Sequence, residues 1–131
     1  MKVFIENEAG SNQKNIYDEQ KLIFIKTVVV SKNYPYPYGF VIDTVSGDGD
    51  NLDCFILTDQ VFKTGEVIEV EPIGMFEQVE DGQSDPKILA VIKGQEVIVT
   101  DEIKLKLSDF VLHVFDHLPN KQVKIGNFLD K

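Results

Sequence analysis

The stretch Ser46-Gly47-Asp48-Gly49-Asp50-Asn51-Leu52-Asp53-Cys54 carries three carboxylates within six positions. Glycines at 47 and 49 leave the backbone free to bend between them. The apolar run Cys54-Phe55-Ile56-Leu57 follows at once and reads as a buried strand. The acids are therefore expected on a tight turn at the mouth of a sheet. Two carboxylates about 4 Å apart repel by roughly 4 kcal/mol at an effective dielectric of 20. Three grouped so closely require a positive partner, and a hard divalent cation with oxygen ligands is the simplest one.

A second acidic stretch, residues 79–86, adds Glu80, Asp81 and Asp85. Elsewhere Lys14, Lys26 and Lys87, with the phenols Tyr34 and Tyr38, offer groups for holding an anion. Acids for metal, together with lysines and tyrosines for oxyanions, make up the inventory of phosphoryl transfer to water. In that chemistry metal ions neutralise phosphate oxygens and acidify a bound water, which a carboxylate orients or deprotonates.

Each feature has a plainer reading. Asp and Gly are turn residues, so residues 48–53 also fit a solvated β-turn. Taken alone, Glu80, Asp81 and Asp85 fit an exposed loop, and the lysines fit a soluble surface. An EF-hand fails: Asp48 and Asp50 stand at its first and third positions, but Leu52 and Asp53 fall where an oxygen ligand and the glycine belong. His113 and His117 lie four apart on one helix face, without the glutamate of a zinc-protease helix between them. They read as structural. Cys54, between an acid and a buried strand, reads as a core thiol.

The elements that must position these groups are mostly short strands. Residues 3–5 form the first, ending at Glu6, and the polar residues 7–15 read as a loop. Residues 21–30 are apolar and β-branched, hence a strand. Tyr34-Pro35-Tyr36-Pro37-Tyr38 is stiff and extended, because two prolines exclude a helix interior. Strands are expected from Phe40, over 53–57, 67–75 and 87–92, and over 123–128, with a short one at 95–99. Gly65 marks a turn. Ser108 is a candidate N-cap for a helix over 109–118, with Phe110, Val111, Val114, Phe115 and Leu118 on one face and Pro119 at its end. Many short strands and one late helix predict a mainly β (α+β) fold, a small β-barrel with a helix packed on it.

Composition sets outer bounds. The chain has 131 residues and 43% hydrophobic side chains, enough for one domain spanning 1–131 with a single core. No run of 18 apolar residues occurs, so no membrane span is expected. The start, Met1-Lys2-Val3-Phe4-Ile5-Glu6, turns acidic too early for a signal peptide. One cysteine suits a reducing compartment, and the expected location is cytoplasmic. A formal charge of -9 argues against nucleic acid as a partner.

The blocks Tyr34-Pro35 with Tyr38-Gly39, Gly47-Asp48-Gly49-Asp50 with Asp53, Pro72-Ile73-Gly74, and Asp85-Pro86-Lys87 resemble, in this order, the soluble family I inorganic pyrophosphatases. The likeness runs from about Phe4 to Asn127. It implies a five-stranded OB-like barrel with flanking helices, several Mg²⁺ ions, hydrolysis of pyrophosphate to two phosphates, and a homo-oligomer. By position, Asp48, Asp53 and Asp85 match metal ligands of that family, and Glu80 stands in place of a fourth, an aspartate. Asp50 matches the carboxylate that orients or deprotonates the attacking water. Glu6 matches an acidic site residue, Lys14, Tyr38 and Lys87 match phosphate-holding groups, and Tyr34 matches a tyrosine of the site wall. Lys26 replaces an arginine, which loses bidentate phosphate recognition. Ile16 stands where an acid is usual, and Leu118-Pro119 where a phosphate-binding Tyr-Lys pair is usual. The metal half of the site is thus kept and the phosphate half is thinned. Two functions follow: an Mg²⁺-dependent hydrolase of pyrophosphate or a related phosphoanhydride, or a weakly active or non-catalytic relative that binds metal and a phosphorylated ligand.

Overall fold

Period-two alternation in the sequence is matched by strand pairing through most of the structure, a computed structural model that describes residues 1–42 and 51–130. In chain order the elements are β1 (Lys2–Asn7), β2 (Gln13–Asp18), β3 (Ile23–Val29), β4 (Tyr38–Val41), β5 (Asp53–Ile56), β6 (Val67–Glu80), β7 (Gln83–Ser84), β8 (Lys87–Ile92), α1 (Asp101–His113) and β9 (Val123–Asp130). β1 pairs antiparallel with β4, and β4 with β5. β5 runs parallel to β8, β8 pairs antiparallel with β6, and β6 returns to β1. Five strands therefore close into a ring, while β7 and β9 extend the sheet along the distal part of β6. This is the mainly β, five-stranded OB-like arrangement expected, with α1 on its flank. Among the described residues no helix is long and apolar enough to cross a membrane.

Successive side chains of a strand point to opposite faces, and here that divides the core in two. Val3, Ile5, Val41, Cys54, Ile56, Val70 and Ala90 form one cluster. Phe55, Leu57, Phe76 and Leu89 face the other way and pack with Tyr34 and with Leu107, Phe110 and Val111 of α1. Asp53 and Lys87 lie two residues before Phe55 and Leu89, so they open onto the second side, beneath the helix. Gly39 lets β1 and β4 approach closely, since a Cβ there would fall on the Phe4 carbonyl oxygen.

Four expectations about elements need correction. Residues 7–15 are not all loop: β1 runs to Asn7, and β2 begins at Gln13 and pairs with β3 as a separate hairpin. β3 of this hairpin is mostly exposed, whereas β2 is half-buried along nearly its whole length by largely polar side chains, so β2 shows none of the apolar alternation that marks a core strand. The second acidic stretch is a tight turn. Val79 pairs with Ser84 and Glu80 with Gln83. Asp81 and Gly82 form the corner at φ 50° and 84°, the Asp-Gly signature of a two-residue hairpin. Residues 95–99 form no strand; Val97 and Val99 pack against the core beside α1 instead. The helix begins eight residues before Asp109. Thr100, rather than Ser108, is its N-cap and accepts from the Ile103 amide at 3.3 Å. Asp101 and Glu102 complement the positive end of the helix in its first turn. The expected apolar face holds at Phe110, Val111 and Val114, but Leu118 is exposed beyond the end of the helix.

Candidate active site

Beneath α1 the second side of the ring opens into a cavity of about 280 Å³. The strands deliver its polar groups in register. Asp53 pairs with Lys87 across β5 and β8, and Tyr38 pairs with Phe55 across β4 and β5. The Lys87 ammonium donates to Asp53 Oδ2 at 2.6 Å, to Asp85 Oδ2 at 2.8 Å and to Tyr38 Oη at 3.1 Å. An ammonium has three N–H donors, so all of them are engaged. Burial works against charge on Lys87, but Asp53 and Asp85 outweigh it and hold its pKa above the ordinary lysine range. Burial raises the pKa of Asp53, with Asp85 adding to it; Lys87 and a hydrogen bond from Tyr38 offset part of that rise.

A second set of carboxylates meets Asp53 from the other side. Oxygens of Glu6, Glu19 and Asp53 lie within 4.8 Å of one another. Glu6, at the end of β1, is only 7% exposed, and no hydrogen bond or ion pair reaches its carboxyl group among the described residues. Burial, with the charges of Asp53 and Glu19, pushes its pKa up to about 9. Glu19 comes from the β2–β3 turn and accepts from the Asn51 amide at 2.9 Å. The hairpin is tied down by two asparagines: Asn7 Oδ1 accepts from the Asn15 amide at 2.7 Å, and Asn15 Nδ2 donates to the Glu6 carbonyl at 2.8 Å.

The donors that face one another here are carboxylate oxygens, several of them buried and mutually repelling. That set fits a hard divalent cation, whose charge would relieve the repulsion. Anion-holding groups line the same cavity. Lys14 reaches over the Phe115 ring at 4.8 Å, and burial lowers its pKa while Glu80 offsets part of the fall. Tyr34 is buried and Tyr38 half-buried, with ring centroids 5.3 Å apart, and burial raises the pKa of both hydroxyls.

Of the residues singled out in the sequence, Glu6, Lys14, Tyr34, Tyr38, Asp53, Glu80, Asp85 and Lys87 all line this cavity. Lys26 does not: it is exposed on β3, opposite Ile16. Asp48 and Asp50 lie outside the described residues. Glu19 and Gln78 line the cavity without having been anticipated. Gln78 lies one alternation before Glu80 on β6, is 5% exposed, and has an amide oxygen with no hydrogen-bond partner among the described residues. Its polarity in a run between Phe76 and Glu80 was the available signal.

Comparisons with known proteins agree with this geometry. The family model for inorganic pyrophosphatase matches residues 3–127. An inorganic pyrophosphatase of Nanoarchaeum equitans is 35% identical over 98% of this chain and 86% of its own length. One from Saccharolobus solfataricus is 33% identical over 96% of this chain and 80% of its own. Among solved structures, an inorganic pyrophosphatase from Coxiella burnetii superposes with a TM-score of 0.88 at 29% identity, covering 99% of this chain and 85% of that one. With the carboxylates, lysine and tyrosine gathered around one cavity, and with a match spanning nearly its whole length, this chain belongs to the inorganic pyrophosphatase family.

Proposed function

We propose that the protein hydrolyses inorganic pyrophosphate to two phosphates and requires Mg²⁺. The observation that carries this reading is the cavity in which Lys87 joins Asp53, Asp85 and Tyr38 beside the buried carboxyl of Glu6. Asp48, Asp53, Asp85 and Glu80 are the residues assigned to hold Mg²⁺. When bound, the ions supply positive charge to the phosphate oxygens and lower the pKa of a coordinated water.

The chain's own groups do the rest. Asp50 orients the attacking water and accepts its proton. The water oxygen bonds to one phosphorus, the bridging P–O bond breaks, and the leaving phosphate departs with the electron pair. Lys14, Lys87 and Tyr38 are assigned to the phosphate oxygens, with Tyr34 as the wall and Glu6 as an acidic neighbour of the metal-binding carboxylates; Lys26, exposed on β3, is left out of this set. Burial under α1 favours these contacts, because charge–charge interactions strengthen where water is excluded.

Two further features belong to the same reading. The hairpin exposes Leu22 at its turn and Ile23, Phe24 and Ile25 on β3, which among the described residues pairs only with β2. Such a surface supports assembly into a homo-oligomer, which light scattering at micromolar concentration would detect. The cytoplasm, where pyrophosphate arises from biosynthetic condensations, suits the single buried thiol. The substrate assignment is tested by comparing phosphate release from pyrophosphate, tripolyphosphate and a nucleoside triphosphate under the same Mg²⁺ concentration. Pyrophosphate is expected to give the highest kcat/KM; a higher value for either of the others would reassign the substrate.

A further inference from the structure

Lys121 was no part of the motif reading, yet it lines a depression that adjoins the cavity and shares Glu80 and Asp85 with it. It lies in the connection between α1 and β9. Its ammonium donates to Glu80 Oε1 at 2.9 Å and lies 3.3 Å from Asp81 Oδ2. The same ammonium lies over the Phe115 ring, 5.2 Å from the centroid. Lys14 lies over that ring too, at 4.8 Å. The two cations are therefore within about 10 Å of each other. Glu80 belongs both to the main cavity and to an adjoining depression that Lys121 lines, and Asp85 is shared in the same way.

Two ammoniums gathered on one aromatic ring repel unless an anion stands close to both. In this structure Glu80 is that anion: it binds Lys121 directly and is the carboxylate acting most strongly on Lys14. Glu80 is also the residue assigned to a divalent cation. A carboxylate drawn toward such a cation leaves Lys121 with Asp81 alone and takes from Lys14 the strongest of its carboxylate neighbours, at a place where a phosphate can supply the missing charge. Lys87 is less available to a phosphate than Lys14 and Lys121, because its three donors already serve Asp53, Asp85 and Tyr38.

We propose that Lys121 is a substrate-binding residue that pairs with Lys14 across Phe115 to hold a phosphate group of the substrate, with Glu80 as its counter-ion while the site is empty. This gives the thinned phosphate half of the site a cation from the α1–β9 connection, in place of the Leu118-Pro119 positions that carry no charge. The inference rests on the pyrophosphatase reading.

The alternative role for Lys121 is structural. It shares a clip in which the Gln122 amide donates to Asp81 Oδ1 at 2.9 Å and the Asp81 amide donates to the Gln122 carbonyl at 2.8 Å. The test therefore uses three variants and three readouts. Binding of methylenediphosphonate, a diphosphonate that cannot be hydrolysed, is measured by calorimetry with Mg²⁺ for the wild type, Lys121→Met, Lys121→Arg and Asp81→Ala; KM and kcat for pyrophosphate and the melting temperature are measured alongside. Loss of one charge-assisted contact predicts about a tenfold weaker Kd and a similar rise in KM for Lys121→Met. Lys121→Arg is expected to stay within about threefold of wild type. Asp81→Ala removes the oxygen that accepts from Gln122 and keeps the lysine, so it should lower the melting temperature without weakening diphosphonate binding. Unchanged Kd and KM in Lys121→Met, with an active wild type, would overturn the role of Lys121 and leave the pyrophosphatase reading standing. A wild type that neither binds the diphosphonate nor releases phosphate would overturn both.

Discussion

Asp53 and Lys87 face each other across the parallel β5–β8 pair, and their side chains close to 2.6 Å at the floor of the cavity. The register of two strands thus fixes a cation against a carboxylate that a metal ion would otherwise neutralise. In the metal-free protein Lys87 is the counter-charge for both Asp53 and Asp85.

Removing that lysine should therefore hurt the metal-free protein most. Lys87→Met leaves two partly buried carboxylates facing each other without a cation, and breaking a buried pair costs about 3–5 kcal/mol. Thermal melts in chelator should show a large drop, and the gap to wild type should narrow when Mg²⁺ is added. An equal gap in both conditions would argue that Asp53 and Asp85 do not hold the ion.

Glu6 gives a pH dependence with a definite sign. Its folded-state pKa of about 9 exceeds the ordinary 4.5, so the folded protein keeps a proton that the unfolded chain releases. The stability this contributes is complete below about pH 4.5 and is lost as pH rises toward about 9. Glu6→Gln has no such loss. In chelator it should gain on wild type as pH rises to about 8, because only the wild-type unfolded chain is favoured there by releasing the Glu6 proton. The two should converge near pH 4, and denaturant titrations at both pH values will show it.

Gly39 is a test of architecture. Its added methyl would fall on the Phe4 backbone, which cannot yield as a flexible side chain would. Gly39→Ala should lose about 3 kcal/mol or more by overpacking. Any folded fraction should be less active, because the β1–β4 pairing places both Glu6 and Tyr38. Near-wild-type stability would mean that the two strands can separate more easily than their packing implies.

Cys54 is fully buried on the Val3–Ile5 side of the sheet, and burial pushes its thiol pKa upward. A thiol-specific reagent should modify it only after denaturant is added. Fast labelling of the native protein would contradict the packing of β5.

Part of this was legible before the coordinates. Asp53, Tyr34, Tyr38, Asp85 and Lys87 were grouped by their chemistry and by the family resemblance, and they line one cavity. What stayed hidden depends on contacts that spacing does not encode. Glu19 enters the cavity because the hairpin folds back through Asn7 and Asn15, and neither asparagine carries a periodic signal. Lys121 meets Glu80 only because β9 pairs with β6, which brings residues 41 apart in sequence together. The helix start was misplaced because Ser108 resembled a cap, while Thr100 with two acids behind it was the stronger one. Lys26 followed family position alone, and the exposed strand it occupies gave the sequence no means of showing otherwise.

The most direct test of the central claim is phosphate release from pyrophosphate, measured for the wild type and for Asp50→Asn in Mg²⁺ and again in chelator. The wild type should turn over in Mg²⁺ and stop in chelator, and Asp50→Asn should lose at least about a hundredfold in kcat while still binding Mg²⁺, the contribution expected of a positioned general base. Undiminished release in chelator, or a fully active Asp50→Asn, would contradict the account.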